Sequence, residues 1–179
     1  MSHPIYFNSI LNEARLIEQL AVASKEFISS LRHIYPEIEE PPMATRLSIE
    51  VMQYKDWLID AVSSGLISIA TKTRILQDSY DLSVNDSECC PEKAAFEEIP
   101  NIVQVVEGEF KNSIRECCNK IIHATSFDLD FSLDYYGTEY WTGWCVLKGR
   151  HFKNQWSVKI NIFSFSVTLR NFIEIIRYL

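Results

Sequence analysis

The chain has 179 residues, 47% of them hydrophobic, and a formal net charge of −7 at neutral pH. This length suits one large domain, or one domain with an appendage, and the high apolar fraction excludes a disordered chain. Broad, non-specific binding to nucleic acid is also excluded, because it requires a surplus of Lys and Arg over the whole surface.

The cysteines and the N-terminal segment bear on compartment and metal binding. No basic stretch followed by an apolar core opens the chain, and no apolar run approaches the ~18 residues of a membrane span. We therefore expect a cytoplasmic protein whose five cysteines, at positions 89, 90, 117, 118 and 145, are reduced thiols. The adjacent pairs lack the intervening residues typical of zinc ligands. We predict no metal site and no cofactor, with zinc shared by the two pairs as the alternative.

Apolar residues at three- and four-residue spacing predict four main helices in an antiparallel bundle. The first covers residues 5–35. The second covers residues 43–63, and Gly65 separates it from a third over residues 66–80. The fourth covers residues 101–124.

Three shorter segments connect these helices. Residues 36–42 are acidic and contain three prolines, which predicts a turn. Residues 81–91 are polar and are predicted to be a long loop. Residues 92–98 are predicted to form a helical turn before the fourth helix.

From residue 127 the hydrophobic period changes to two, which predicts strands over residues 127–133, 139–148 and 156–162. Their short connections predict a three-stranded antiparallel meander. A closing helix, beginning at Ser164 or Ser166, is predicted over the remaining residues.

Alternation in the last strand predicts which of its side chains face the core. We expect one face to be buried and the other to point away from it. The buried face consists of Trp156, Val158, Ile160 and Ile162, and the opposite face of Ser157, Lys159 and Asn161.

Trp141, Trp144 and Trp156 form an aromatic cluster on this predicted sheet. Aromatic side chains on adjacent strands usually pack together, and we favour that interpretation. Exposed, they would offer a platform for a partner or for bases, which normally accompanies a basic groove. The hairpin does carry a basic edge, made of Lys148, Arg150, His151, Lys153 and Lys159. The spacing of His151 to the other histidines forms no pattern, and no role is assigned to it.

The end of the predicted fourth helix carries an unusual polar edge. Arg115, Asn119 and His123 recur at four-residue spacing and therefore lie on one side of a helix. A guanidinium, an amide and an imidazole on one edge can contact an anion, a partner or each other.

The run Cys118-Asn119-Lys120-Ile121-Ile122-His123 resembles the signature of HEPN domains, helical bundles of prokaryotic toxin–antitoxin, phage-defence and nucleotide-linked stress systems. Their motif is an Arg, often an Asn, three variable residues and a His near the end of a late helix. Asn119 and His123 match it, whereas Cys118 stands at the position of the Arg. The resemblance covers these six residues and a compatible run of helices, and it does not extend to the strands.

The resemblance implies a metal-independent endoribonuclease in which two motifs meet across a homodimer and a 2′-hydroxyl attacks the adjacent phosphate. The candidate catalytic residues are then His123, Asn119 and Arg115, with Arg115 or Lys120 as a substitute cation. Cysteine cannot supply the charge that stabilises the transition state. We therefore expect weak or absent cleavage, and we expect Cys118→Arg to raise it.

Two other interpretations of the same edge remain open. It can be the dimerisation surface of a non-catalytic interaction module. It can also be purely structural, with Arg115 paired to Glu116 or Glu109. In that case Asn119 and His123 satisfy backbone groups where the helix meets the sheet.

These observations together predict an α+β protein: an antiparallel bundle of four main helices followed by a three-stranded antiparallel β-meander and a C-terminal helix. Residues 1–125 would form a HEPN-like helical bundle, and residues 126–179 a sheet with a closing helix, packed on the bundle as one unit. The function expected from the resemblance is that of a HEPN-like protein of a prokaryotic defence or toxin–antitoxin type system. We expect a cytoplasmic homodimer, paired through the helix ending at His123, with an RNA or protein partner and no membrane contact.

Overall fold

A computed structural model describes residues 7–35, 45–79, 90–137 and 139–178 of the chain. These residues form helices and a four-stranded antiparallel sheet, which confirms the α+β class. In chain order the elements are α1 (Phe7–Ile34), α2 (Arg46–Ser79), α3 (Pro91–Glu98), β1 (Val103–Glu107), α4 (Ile114–Ile122), β2 (Ser126–Leu133), β3 (Glu139–His151), β4 (Asn154–Asn161) and α5 (Ile162–Arg177).

Two of the predicted connections lie outside the described residues, namely all of 36–42 and most of 81–91. The helical turn predicted over residues 92–98 is confirmed as α3, which begins with Pro91 at its first position. Proline suits that position because its fixed φ is helical and its missing N–H needs no partner there.

The predicted interruption at Gly65 is wrong, because α2 runs without a break through it. The glycine serves close packing between α1 and α2 instead. A Cβ atom at position 65 would lie 2.9 Å from Cδ1 of Ile17. The helix therefore keeps a residue of low helix propensity because α1 passes so near.

The predicted fourth helix is also wrong in its first half, which forms strand β1 instead. Val103, Val105 and Val106 are β-branched and favour the extended backbone, which pairs antiparallel with β4. Helix α4 begins after Ser113, whose hydroxyl accepts a hydrogen bond from the backbone N–H of Glu116 at 3.1 Å. The bundle of four main helices is therefore replaced by two long helices and three shorter ones among the described residues.

The predicted meander is confirmed for β2, β3 and β4, and β1 extends it to the order β1-β4-β3-β2. Strand β4 is therefore an inner strand rather than an edge. The predicted closing helix is confirmed as α5, but it begins at Ile162 rather than at Ser164 or Ser166. The side chain of Asn161 caps it by accepting a hydrogen bond from the N–H of Ser164 at 3.0 Å.

The alternation predicted for the last strand is confirmed through Ile160, but β4 ends at Asn161, so Ile162 belongs to α5 and not to the strand. The predicted inward side chains are all buried: Trp156, Val158, Ile160 and Ile162. Lys159 points away from them, and its ammonium lies 2.9 Å from a carboxylate oxygen of Asp130 on β2. Ser157, predicted on the opposite face, is buried as well, and its ladder neighbours are Glu107 of β1 and Lys148 of β3.

The larger of two hydrophobic clusters among the described residues joins all five helices to the sheet. It contains Ile17 of α1, Leu66 of α2, Ile121 of α4, Trp141 of β3 and Phe172 of α5. Members of this cluster come from both sides of the predicted domain boundary after residue 125, and that boundary remains a prediction. No helix in the described parts of the chain is long and apolar enough to cross a bilayer.

The contact between α1 and β3 includes one buried hydrogen bond. Ser24 is fully buried, and its hydroxyl oxygen accepts a hydrogen bond from the backbone N–H of Trp141 at 3.1 Å. This bond satisfies a strand N–H that water cannot reach.

We expect Ser24→Ala to lower the free energy of unfolding by about 1–3 kcal/mol, because it leaves the N–H of Trp141 buried without an acceptor. Ser30→Ala is the matched control, since Ser30 is an exposed serine of the same helix. Urea unfolding followed by circular dichroism measures both. Equal midpoints for the two variants would contradict the assigned role of Ser24.

Candidate functional site

Helix α4 has one face in the core and one edge on an open cleft. Its buried face consists of Ile114, Cys117, Cys118 and Ile121. The edge toward the cleft carries Asn119, Lys120 and His123. His123 is the residue that ends the helix, with its backbone N–H donating to the carbonyl oxygen of Asn119 at 2.9 Å.

The end of α4 is fastened to β3 by backbone contacts. The N–H of Thr125 donates to the carbonyl oxygen of Lys148 at 2.8 Å. Beside it, a Cβ atom at Gly149 would lie 3.0 Å from the carbonyl oxygen of His123 and 2.1 Å from the ring of Trp156. Residue 149 is therefore glycine because the helix end and an indole ring both approach its backbone closely.

At the same junction, Lys120 of α4 contacts Trp156 of β4. The ammonium of Lys120 lies 4.4 Å from the centroid of the Trp156 ring, within the range of a cation–π contact. It also lies 3.4 Å from a carboxylate oxygen of Glu116, one turn earlier on α4. Trp156 and Trp141 are both buried, which confirms the packing interpretation for these two tryptophans.

The cleft itself has a volume of about 1330 Å³. It lies between β1 and the turn after it, the edge of α4 and the β3–β4 hairpin. Its lining includes four permanent cations, three carboxylates and two histidines: Lys111, Lys120, Arg150, Lys153, Glu107, Glu109, Glu116, His123 and His151. An acidic chain therefore contains a cleft with a local surplus of positive charge.

The β3–β4 hairpin supplies the side of the cleft that faces α4. Its last ladder pairs are Arg150 with Gln155 and His151 with Asn154, so the two strands are paired up to the turn. Arg150 and Lys153 form no salt bridge with any described residue, and both are exposed. Their charges are available to a ligand.

The structure brings Asn119 and His123 together on the cleft and places Arg115 elsewhere. The guanidinium of Arg115 lies 2.7 Å from a carboxylate oxygen of Asp78 on α2. Arg115 is absent from the cleft lining, and its observed partner is neither Glu116 nor Glu109.

Arg150, His151 and Lys153, which the sequence analysis grouped as a basic edge of the hairpin, also line this cleft. Their basic clustering on one hairpin was visible in the sequence. The contact between the hairpin and the end of α4 was not visible in the sequence, because it depends on the packing of distant segments around Gly149 and Trp156.

Cys118, at the position of the motif Arg, is fully buried in the core. Burial raises the pKa of its thiol to about 12, and the nearby carboxylate of Glu92 adds to the rise. Burial also raises the pKa of the Glu92 carboxyl, although the guanidinium and the backbone N–H of Arg115 act in the opposite direction. Because Cys118 is fully buried, the face of α4 that holds it has no access to the cleft.

A second cavity, of about 700 Å³, lies between the start of β1 and α5. Its lining contains no titratable side chain, so it offers no acid, base or charge for catalysis. Within the described ranges, no three His, Cys, Asp or Glu side chains are grouped so that they could hold a metal ion. Cys89, one member of the alternative zinc set, lies outside those ranges.

Comparison with protein-family models, with curated proteins and with solved structures finds no match for this chain.

The burial of Cys118 changes what an arginine there is expected to do. Cys118→Arg would place a third guanidinium near Arg74 and Arg115, in a space that holds only a thiol. We expect this variant to lose about 3–5 kcal/mol of unfolding free energy, since a buried charge without its own partner costs this much. Cys118→Ala is the control and should lose only about 1 kcal/mol. Chemical denaturation measures both, and a Cys118→Arg protein as stable as the wild type would contradict this placement of α4.

Proposed function

We propose that the cleft binds RNA and cleaves it with His123 and His151 as proton-transfer groups. One observation carries this proposal: a single cleft is lined by Asn119, Lys120 and His123 of the α4 edge and by Arg150, His151 and Lys153 of the hairpin. Two imidazoles and several cations in one cleft are the groups that phosphodiester cleavage requires.

The proposed reaction needs two proton transfers. One imidazole accepts the proton of a ribose 2′-hydroxyl while the 2′-oxygen forms a bond to the adjacent phosphorus. The other imidazole donates a proton to the 5′-oxygen as its bond to phosphorus breaks. The products are a 2′,3′-cyclic phosphate and a 5′-hydroxyl, and no electrons are transferred. Imidazole suits both roles because its ordinary titration lies near neutral pH.

The charge on the phosphorane-like transition state would be stabilised from the hairpin. In the family that the sequence resembles, an arginine next to the motif Asn performs this role. Here that position faces the core, whereas Arg150 and Lys153 line the cleft without an ion-pair partner among the described residues. A guanidinium fork matches phosphate oxygens geometrically, so we assign this role to Arg150 first.

The resemblance supplies the proposed biological setting. On the four-residue spacing of Asn119 and His123, and on their shared cleft, we propose a HEPN-like endoribonuclease of a prokaryotic defence or toxin–antitoxin system, acting in the cytoplasm. Cleavage is expected to be weak, because the cation comes from a different element than in the family.

We expect His123→Gln and His151→Gln each to lower RNA cleavage about 10²–10⁴-fold, the usual contribution of a general acid or base. His33→Gln is the matched control, because His33 is an exposed histidine near the end of α1 and outside the cleft lining. The assay follows release of a 2′,3′-cyclic phosphate from a labelled oligoribonucleotide. RNA cleavage that all three variants retain in full would place the activity outside this cleft.

The alternative function is a non-catalytic interaction module that uses the same helix edge. Ile122, adjacent to His123, is 37% exposed and gives this edge an apolar contact for a partner. A homodimer through α4 is proposed under both functions. The two are separated by activity, because the interaction module would leave RNA intact.

We expect light scattering to give the mass of a dimer at micromolar concentration and the mass of a monomer for Ile122→Glu. A carboxylate there would have to be buried without a partner, which costs several kcal/mol of association free energy. Ile67→Glu is the control, because Ile67 is an exposed isoleucine of α2. A monomeric wild-type protein at high micromolar concentration would contradict the proposed homodimer and a site composed across it.

A further inference from the structure

Phe152, at the tip of the β3–β4 hairpin, has no evident structural task. It is 85% exposed, so its ring gains little from burial. Its φ of 54° is in the left-handed region, although it is neither glycine nor asparagine. The two-residue turn between His151 and Asn154 requires a positive φ at this position, which favours glycine, so a bulky ring costs about 1 kcal/mol or more here.

The surroundings of Phe152 are those of a nucleotide-binding site. Its neighbours His151 and Lys153 line the cleft, as does Arg150. The rings of His151 and Phe152 meet edge to face, with centroids 4.6 Å apart, so the phenyl ring is held beside the imidazole. An exposed aromatic ring between unpaired cations is the arrangement by which proteins stack an unpaired base and bind its phosphates.

We propose that Phe152 stacks on an unpaired base of RNA while Arg150 and Lys153 bind the flanking phosphates. This inference rests on the proposed function and names the part of the ligand that the hairpin recognises. Stacking on one base would place the neighbouring phosphate along the cleft, toward His123 and His151. The hairpin would thus select unpaired strands, because a base within a duplex presents no free face.

An anionic lipid surface is the other ligand that a basic, aromatic tip can contact. Two observations favour RNA. The tip continues into a cleft of about 1330 Å³ that a flat membrane surface would leave unused. The chain also carries a net charge of −7, which opposes adsorption to an anionic surface over a broad contact.

The test uses a labelled twelve-residue oligouridylate with 2′-O-methyl riboses, which cannot supply the attacking hydroxyl and so reports binding without cleavage. We expect Phe152→Gly to weaken binding about tenfold, measured by fluorescence anisotropy at low salt. Glycine accepts the positive φ, so the variant should unfold at the same temperature as the wild type or a higher one. Tyr135→Gly is the control, because Tyr135 is 96% exposed in the turn at the opposite end of β3.

A second oligonucleotide of the same length with abasic sugars separates stacking from charge. If the ring stacks on a base, the wild type and Phe152→Gly bind the abasic oligonucleotide equally. Arg150→Ala should weaken both oligonucleotides alike and reduce the slope of log K against log salt by about 0.7.

Three outcomes overturn the inference. The first is equal binding of oligouridylate by the wild type and a folded Phe152→Gly. The second is a loss of affinity in Phe152→Gly that is as large for the abasic oligonucleotide as for oligouridylate. The third is binding of the wild type to phosphatidylserine-containing vesicles but not to oligouridylate. Cleavage of unmodified RNA is measured separately. Stacking without cleavage retains this inference and rejects the proposed reaction. His123-dependent cleavage with no effect of Phe152→Gly on binding retains the proposed reaction and rejects this inference.

Discussion

The packing of Trp156 against Gly149 is the contact on which the cleft depends. The indole ring occupies the space of a missing side chain on β3, and the ammonium of Lys120 covers the ring from α4. The carbonyl oxygen of His123 approaches the same glycine. This close approach places the end of α4, where His123 lies, directly against β3 beside the hairpin. A cleft between a helix and a hairpin has defined walls only because this junction admits no larger residue.

Charge is distributed so that a local site can differ in sign from the whole chain. The net charge of −7 excludes a broad basic surface, yet the cleft carries four permanent cations against three carboxylates. Lys120 is partly neutralised by Glu116, which leaves Lys111 after β1 and Arg150 and Lys153 on the hairpin as the cations exposed to a ligand. Acidic side chains elsewhere would repel a polyanion, so under the proposed function we expect binding to be confined to the cleft.

Local patterns predicted the second half of the fold better than the first. The alternation from Trp156 to Ile160 specified the buried face of β4 because a strand has a period of two and one face must be buried. The prediction failed for the segment of β1, because its valines fit a helical spacing as well as an extended one. Pairing with β4 is what selects the extended conformation. The prediction for Gly65 failed for a similar reason, because its role depends on the side chain of Ile17 in the neighbouring helix α1, which the local pattern does not show. Of the candidate site, Asn119 and His123 were found from spacing alone, whereas Arg150 and His151 enter it through tertiary packing.

The packing of α4 explains why the cation of the proposed site does not come from position 118. Successive residues of an α-helix are separated by about 100° around its axis, so positions 119 and 123 differ by about 40°. Positions 118 and 123 differ by about 140°, and in α4 the side that carries residue 118 is the one that packs in the core. Cys118 is fully buried in accordance with this. A guanidinium at that position would need α4 to rotate away from its apolar stripe, against the burial of Ile114 and Ile121. The hairpin supplies Arg150 to the cleft without that rotation, because its side chain projects from an element that the core does not enclose.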